Sequence, residues 1–260
     1  MANCRIFPTP NGYPHLGHLY LAKLNQYHAR STGGTLSLLF DDTQPCWLDN
    51  PGAAAMAEYA QGWFDDMAWA GITFDKVLYQ SKEREAFKRW LSKHNYHDNA
   101  EHHDYLHAPI RSDGGTIYPW EDWLTIEKVY MDACAGIDLV IRGIDLLAEY
   151  ALYQHMWNEY VSIESNGDVP PEHVYIPRLI AGVHEGQIDN VSKTNGTYKL
   201  RTFREKGVTP DQLDTMLRYA CLEYVHGDWD WHNLKAQPML TPESPIFHYT
   251  RTQTVEFARG

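Results

Sequence analysis

His15 and His18 follow a turn rich in proline and glycine and open an apolar-periodic stretch. At a spacing of i, i+3 on a helix, two imidazoles share one face of the first turn. A helix N-terminus carries N–H groups without intrahelical partners and partial positive charge, a setting that attracts phosphate. Gly17, between the histidines, has no Cβ and lets a flat ring lie against the backbone. With the apolar strand Cys4–Phe7 leading into the turn, the arrangement reads as a nucleotide phosphate site. The bland alternative is a strand, a turn and a helix with two incidental histidines.

Two other groups of polar residues stand out. Residues 193 to 206 hold Lys193, Lys199, Arg201, Arg204 and Lys206 against Glu205 alone. Such a run is a local basic patch, or by default a solvated face. His94, His97, His102, His103 and His107 cluster within one segment. Imidazoles at such spacings can bind zinc, but no cysteine takes part and no pair has a tight spacing. The cluster is read as a solvated loop and no metal is assigned.

The elements that must position these groups alternate. Cys4–Phe7, Thr35–Phe40, Lys76–Tyr79 and Ile137–Ile141 are strand-like. Helical spacing runs over His15–Ser31, Ala53–Trp69, Glu83–His94, Leu146–Val161 and Pro210–Tyr224. Strands alternating with helices imply an α/β, Rossmann-like parallel sheet covered on both faces, with ligands at the carboxyl ends of the strands. His15, Asp41 and Arg142 fall at those ends. The reading is a catalytic domain over 1–225 and, from 226 to 260, a tail packed on it, rich in Trp, Pro and Thr without periodicity.

Composition bounds the function. The chain has 260 residues, 43% of them hydrophobic and 13% aromatic, enough for a real core rather than a disordered chain. No run approaches the roughly 18 apolar residues of a membrane span, and no signal-peptide pattern opens the chain. Four scattered cysteines, Cys4, Cys46, Cys134 and Cys221, suit a reducing cytoplasm and exclude a cysteine-based zinc knuckle. A net charge of −12 disfavours a broad nucleic-acid footprint and leaves room only for a local one.

Four segments, in order, resemble one family. Arg5-x-x-Pro-x-Pro-x-Gly-x-x-His-x-Gly-His18 resembles the signature that opens the catalytic domain of class I glutamyl- and glutaminyl-tRNA synthetases. Leu38-Leu-Phe-Asp-Asp-Thr-Gln-Pro45 is similar to the strand end whose first acid, here Asp41, meets the substrate amino group; a pair of acids there can instead cap the next turn. Asp132-Ala-Cys-Ala-Gly-Ile-Asp-Leu-Val-Ile-Arg-Gly143 resembles the segment whose arginine, here Arg142, recognises the side-chain carboxylate in glutamate-specific members. A planar guanidinium pairs bidentately with a carboxylate and discriminates it from an amide, although an arginine at that place can also bond strand-end carbonyls. Asn190-Val-Ser-Lys-Thr194 is similar to the Lys-Met-Ser-Lys-Ser signature. Its second lysine, here Lys193, reaches the ATP phosphates from a mobile loop, with Ser192 hydrogen-bonding nearby; the family's first lysine is replaced by Asn190.

The resemblance implies an enzyme that activates glutamate, or a close analogue, with ATP and its Mg²⁺ and transfers it to an acceptor. His15, His18 and Lys193 would stabilise phosphate charge, and Arg5, Asp41 and Arg142 would fix the amino acid. Gly12, Gly17 and Gly143 would allow backbone to approach the nucleotide. Two departures bear on this. Tyr118-Pro-Trp-Glu-Asp-Trp123 replaces the family's Tyr-Pro-Thr-Tyr-Asp-Phe, bringing Glu121 near the amino-acid pocket. Only residues 81–110 stand where the family has a connective domain, and no anticodon-binding domain follows within the chain. Any tRNA contact is therefore expected to be weak. A nucleotidylyltransferase of the same fold, or a non-catalytic paralogue that binds amino acid or nucleotide, is the alternative.

Overall fold

The computed structural model describes residues 1–43, 52–93, 96–97, 110–112, 117–118, 120–161, 169–176, 180–184, 187–190, 198–214, 217, 246–249 and 255–258. Its centre is a sheet of five parallel strands: β1 (Cys4–Ile6), β2 (Leu36–Phe40), β3 (Lys76–Tyr79), β7 (Leu139–Gly143) and β8 (Glu172–Ile176). They lie in the order β3-β2-β1-β7-β8. Every pairing is parallel, so all five carboxyl ends meet at one edge. β2 is buried along its whole length, as a run of Leu, Ser, Leu, Leu and Phe with helices on both sides must be.

Two apolar layers enclose the sheet. On one face α1 (Leu16–Ser31) and α2 (Ala53–Trp69) pack Leu19, Leu24, Trp63 and Met67 against β1 and β2, and α6 (Leu200–Glu205) adds Leu200. On the other, α3 (Gln80–Lys93), α4 (Trp120–Ala135) and α5 (Tyr150–Met156) bring together Phe87, Leu91, Ile126, Tyr153 and Met156. Gly33, at φ +71°, turns the chain out of α1; Gly34 then passes so close to Ala2 that a Cβ would lie 2.2 Å from its carbonyl oxygen. Three short strands, β4 (Tyr96–His97), β5 (Ile110–Ser112) and β6 (Ile117–Tyr118), form an antiparallel sheet in the insert region. β9 (Ile180–His184) pairs with β10 (Gln187–Asn190), and β11 (Ile246–Tyr249) with β12 (Val255–Ala258). The rest of the 226–260 tail lies outside the described residues.

Three differences from the pattern reading have physical causes. The expected helix Leu146–Val161 is a 3₁₀ turn over Ile144–Glu149, then α5, then a π turn over Trp157–Val161. The tight first turn carries the carbonyl of Leu146 and the carboxylate of Glu149 onto Arg142. α3 begins at Gln80, ahead of the expected Glu83, because Asp42 accepts from the backbone N–H of Ser81 at 2.8 Å and caps it. β8 is not among the expected strands, since Glu172 and His173 dilute its apolar pattern; His173, Val174, Tyr175 and Ile176 are buried, covering both faces of the strand.

Candidate active site

The site is built at the carboxyl edge, beginning with the turn after β1. His15 is the N-cap of α1, with extended backbone at φ −120°. Its Nδ1 accepts from the N–H of Gly17 at 3.1 Å, and Nδ1 of His18 accepts from the N–H of His15 at 3.2 Å. The two rings stack with centroids 3.7 Å apart. This reciprocal pair corrects one expectation: two backbone donors at the helix start are spent on the imidazoles. With both Nδ1 atoms accepting, each neutral ring carries its proton on Nε2. The positive end of α1 thus acts on two imidazoles that keep an N–H on Nε2.

α2 braces this turn from outside. Trp63 donates from Nε1 to the carbonyl of Gly12 at 3.2 Å, and its ring lies 4.6 Å from that of His18. Tyr13 donates to Glu58. Gly62 leaves the room that Tyr13 fills, since a Cβ there would lie 2.5 Å from Cδ1 of that ring.

The chain after the lysine loop returns to the same turn. Lys199 forms a backbone bridge with His15, and Leu200 donates to the carbonyl of Pro14 at 3.0 Å. The guanidinium of Arg201 covers the Tyr13 ring. Arg201 and Arg204 also pair with Asp66, at 3.5 and 3.1 Å, and the Asp66 side chain is wholly buried. Burial holds the Asp66 carboxyl above its usual value, and the two guanidiniums offset only part of that rise. Two of the five basic residues of the 193–206 run, Arg201 and Arg204, are therefore tied to the fold and make no free phosphate-binding face.

The acidic pair at the end of β2 divides its labour. Asp42 caps α3 through Ser81. Asp41 is buried, with Oδ2 accepting from the Thr9 hydroxyl at 3.1 Å and its N–H bonded to the carbonyl of Pro8.

Both arginines are buried. Arg5 gives Nε and Nη2 to the two oxygens of Asp132, each at 2.8 Å, and Tyr153 donates to the same carboxylate at 2.9 Å. Burial alone would lower the Arg5 guanidinium; Asp132 outweighs it and holds it above its usual value. Arg142 donates from Nη1 to Glu149 at 3.2 Å, and from Nη2 to the Leu146 carbonyl at 3.0 Å and the Tyr175 hydroxyl at 3.2 Å. Lys128 donates to the same Glu149 oxygen at 2.8 Å. Burial pulls the Lys128 ammonium below its usual value, and Glu149 restores part of it. His173 shares the Tyr175 hydroxyl at 3.2 Å. Burial first, then Arg142 and Arg5, push this imidazole down to about 2, so it is neutral.

The structure thus brings Gly12, His15, Gly17, His18, Asp41, Arg142 and Gly143 to the carboxyl edge of the sheet, with Arg5 in the middle of β1. Asp132, Tyr153, Lys128, Glu149, His173 and Tyr175 join them without having been singled out; only Asp132 stood in a quoted motif. Ser192 and Lys193 lie outside the described residues, as do four of the five clustered histidines and the side chains of His97 and of Trp120–Trp123. Among the described residues no group of three His, Cys, Asp or Glu is placed to hold a metal ion, and no helix is long and apolar enough to cross a membrane.

Residues 1–94, which contain the histidine turn, Arg5 and Asp41, match the family described as class I tRNA synthetases (E and Q), catalytic domain. Over those residues the chain is similar to the class I glutamyl- and glutaminyl-tRNA synthetase catalytic domain. Glutamate–tRNA ligase 2 of Dinoroseobacter shibae is 36% identical over 87 residues, 34% of this chain and 18% of the relative. Glutamate–tRNA ligase 2 of Neorickettsia sennetsu is 26% identical over 255 residues, 86% of this chain and 56% of the relative. The synthetase-like chain therefore spans little more than half of the longer match. A solved glutamate–tRNA synthetase from Elizabethkingia anophelis superposes with a TM-score of 0.52 over 75% of this chain and 53% of its own, at 16% identity, a likeness of fold.

Proposed function

We propose that this chain activates glutamate with ATP, forming glutamyl-adenylate and pyrophosphate. The observation that carries the proposal is the reciprocal capping of His15 and His18, which fixes both Nε2 protons at the start of a 16-residue helix. An oxygen of the substrate α-carboxylate attacks the α-phosphorus, the bond to the β-phosphate oxygen breaks, and pyrophosphate leaves. The protein's share is positioning and stabilisation of charge. The histidine N–H groups and Lys193 meet the phosphates, with Ser192 beside them and Mg²⁺ carried on ATP. Gly12, Gly17 and Gly143 let backbone approach the nucleotide. The donor set suits this, since neutral imidazoles and a lysine give N–H groups to anionic oxygen without competing for the metal.

Asp41 takes the α-amino group, and Arg142 takes the side-chain carboxylate. Arg5 has its Nε and Nη2 edge on Asp132, so it contributes to amino-acid binding through its field and the remaining Nη1. The acceptor is a tRNA or a non-tRNA acceptor, a small amine or a carrier protein. A nucleotidylyltransferase would use the same histidines but has no need of Asp41, Arg142 and the Val-Ser-Lys loop together.

Mass spectrometry of single-turnover mixtures tests the reading. Glutamyl-adenylate should form with the unaltered protein and be lost with Arg142→Gln. An adenylate formed equally by Arg142→Gln would remove Arg142 from substrate recognition.

A further inference from the structure

The partners of Arg142 bear on how its guanidinium is kept before a ligand arrives. A guanidinium offers five N–H groups in one rigid plane. Both Nη2 protons are engaged, by Leu146 and Tyr175, and one Nη1 proton goes to Glu149. Nε is buried without a partner. Either bidentate edge of the plane needs an Nη2 proton, and both are taken, so an incoming carboxylate is held through Nη1, where Glu149 now sits. The Leu146 carbonyl is held by its turn, and Tyr175 is buried and shared with His173. Glu149 is the partner that can leave. Its side chain is 28% exposed, and Lys128 already holds the same oxygen at the shorter distance of 2.8 Å, against 3.2 Å for Arg142.

We propose that Glu149 is an internal stand-in for the ligand carboxylate. It occupies Arg142 Nη1 while the site is empty and retreats onto Lys128 when a substrate carboxylate arrives. The inference rests on the reading that Arg142 receives an amino-acid side chain. Lys128 and Arg142 against Glu149 leave a single positive charge, so one incoming carboxylate neutralises the group. An amide has no charge with which to displace Glu149 and meets an arginine already engaged. Glu149 is in this way a specificity-determining residue: it raises the threshold for occupying Arg142 to that of an anion.

The test is calorimetric titration of L-glutamate and L-glutamine into the unaltered chain, Glu149→Gln and Glu149→Ala, each with a non-hydrolysable ATP analogue present. Glu149→Gln keeps shape and an oxygen for Lys128 while removing the competing charge. Glutamate should bind both variants at least about tenfold more tightly, the lower end of close charge-pair coupling, and glutamine, no longer facing an engaged arginine, should gain at least as much, so that discrimination narrows. Weaker glutamate binding in both variants would make Glu149 an orienting group and overturn the proposal, and so would unchanged binding. Absence of glutamate binding to the unaltered chain would overturn the substrate reading and this proposal together; binding without a gain in the variants overturns this one alone.

Discussion

Replacing Asp132 with Asn should destabilise the chain by about 3–5 kcal/mol, the cost of stripping one partner from a buried ion pair. The structure supports the upper part of that range. Arg5 is buried at 4% exposure, Asp132 is wholly buried, and both N–H···O contacts measure 2.8 Å. An asparagine offers one oxygen to the guanidinium and turns an NH₂ group toward its other N–H, while Arg5 cannot shed its proton. The Tyr153 hydroxyl loses a carboxylate acceptor in the same step. Against a typical domain stability of about 5–15 kcal/mol, such a loss is a large fraction of the whole. Removing both charges, as Arg5→Met with Asp132→Leu, leaves nothing unpaired and should cost less than Asp132→Asn alone. Urea unfolding followed by tryptophan fluorescence reads these values, with the slope unchanged if only stability moves. A loss under about 1 kcal/mol for Asp132→Asn, or additive single effects, would refute the reasoning.

Three further outcomes follow from the same geometry. His173 sits near 2 in the folded protein against 6.5 ordinarily, so the unfolded chain binds the extra proton between those values; stability is full above about 6.5 and falls as pH drops. From pH 7 to 5 the unaltered chain should lose about 2 kcal/mol more than His173→Gln, a difference set by the unfolded value because pH 5 stays well above the folded one; parallel pH–stability curves would contradict it. Gly62→Ala ordinarily favours a helix by about 0.5–1 kcal/mol, but the Tyr13 contact should reverse the sign to a loss of about 1–3 kcal/mol, with slower adenylate formation at unchanged glutamate affinity. A stabilised variant in thermal melts would show that Tyr13 moves freely. Lys193→Ala should lower turnover roughly 10²–10³-fold and leave glutamate affinity intact, as for a group acting on developing phosphate charge; equal damage to affinity would place the lysine in the amino-acid pocket.

What could be read in advance was local. His15 and His18 are three residues apart and cap one helix, and Asp41 and Arg142 each end an apolar strand, so their placement followed from strand and helix periodicity. The partners were not local. Arg5 meets Asp132 across 127 positions and Arg142 meets Tyr175 across 33, distances over which a single sequence carries no pairing signal. Asp41 and Asp42 are chemically identical neighbours, and only the arrival of Ser81 separates the capping acid from the inward one. Glu149 fell within an expected helix; the 3₁₀ turn that brings it to Arg142 has no distinct composition. Arg201 and Arg204 read as solvated because nothing in their own segment reveals buried Asp66.

The central claim is amino-acid activation with glutamate preferred. ATP–pyrophosphate exchange by this 260-residue chain with Mg²⁺ and each of the 20 amino acids in turn, with and without bulk tRNA, addresses it most directly. The account predicts exchange that depends on the amino acid, is greatest with glutamate, and is lower with glutamine and aspartate. Exchange with no amino acid present, or with none of the 20 under either condition, would contradict it.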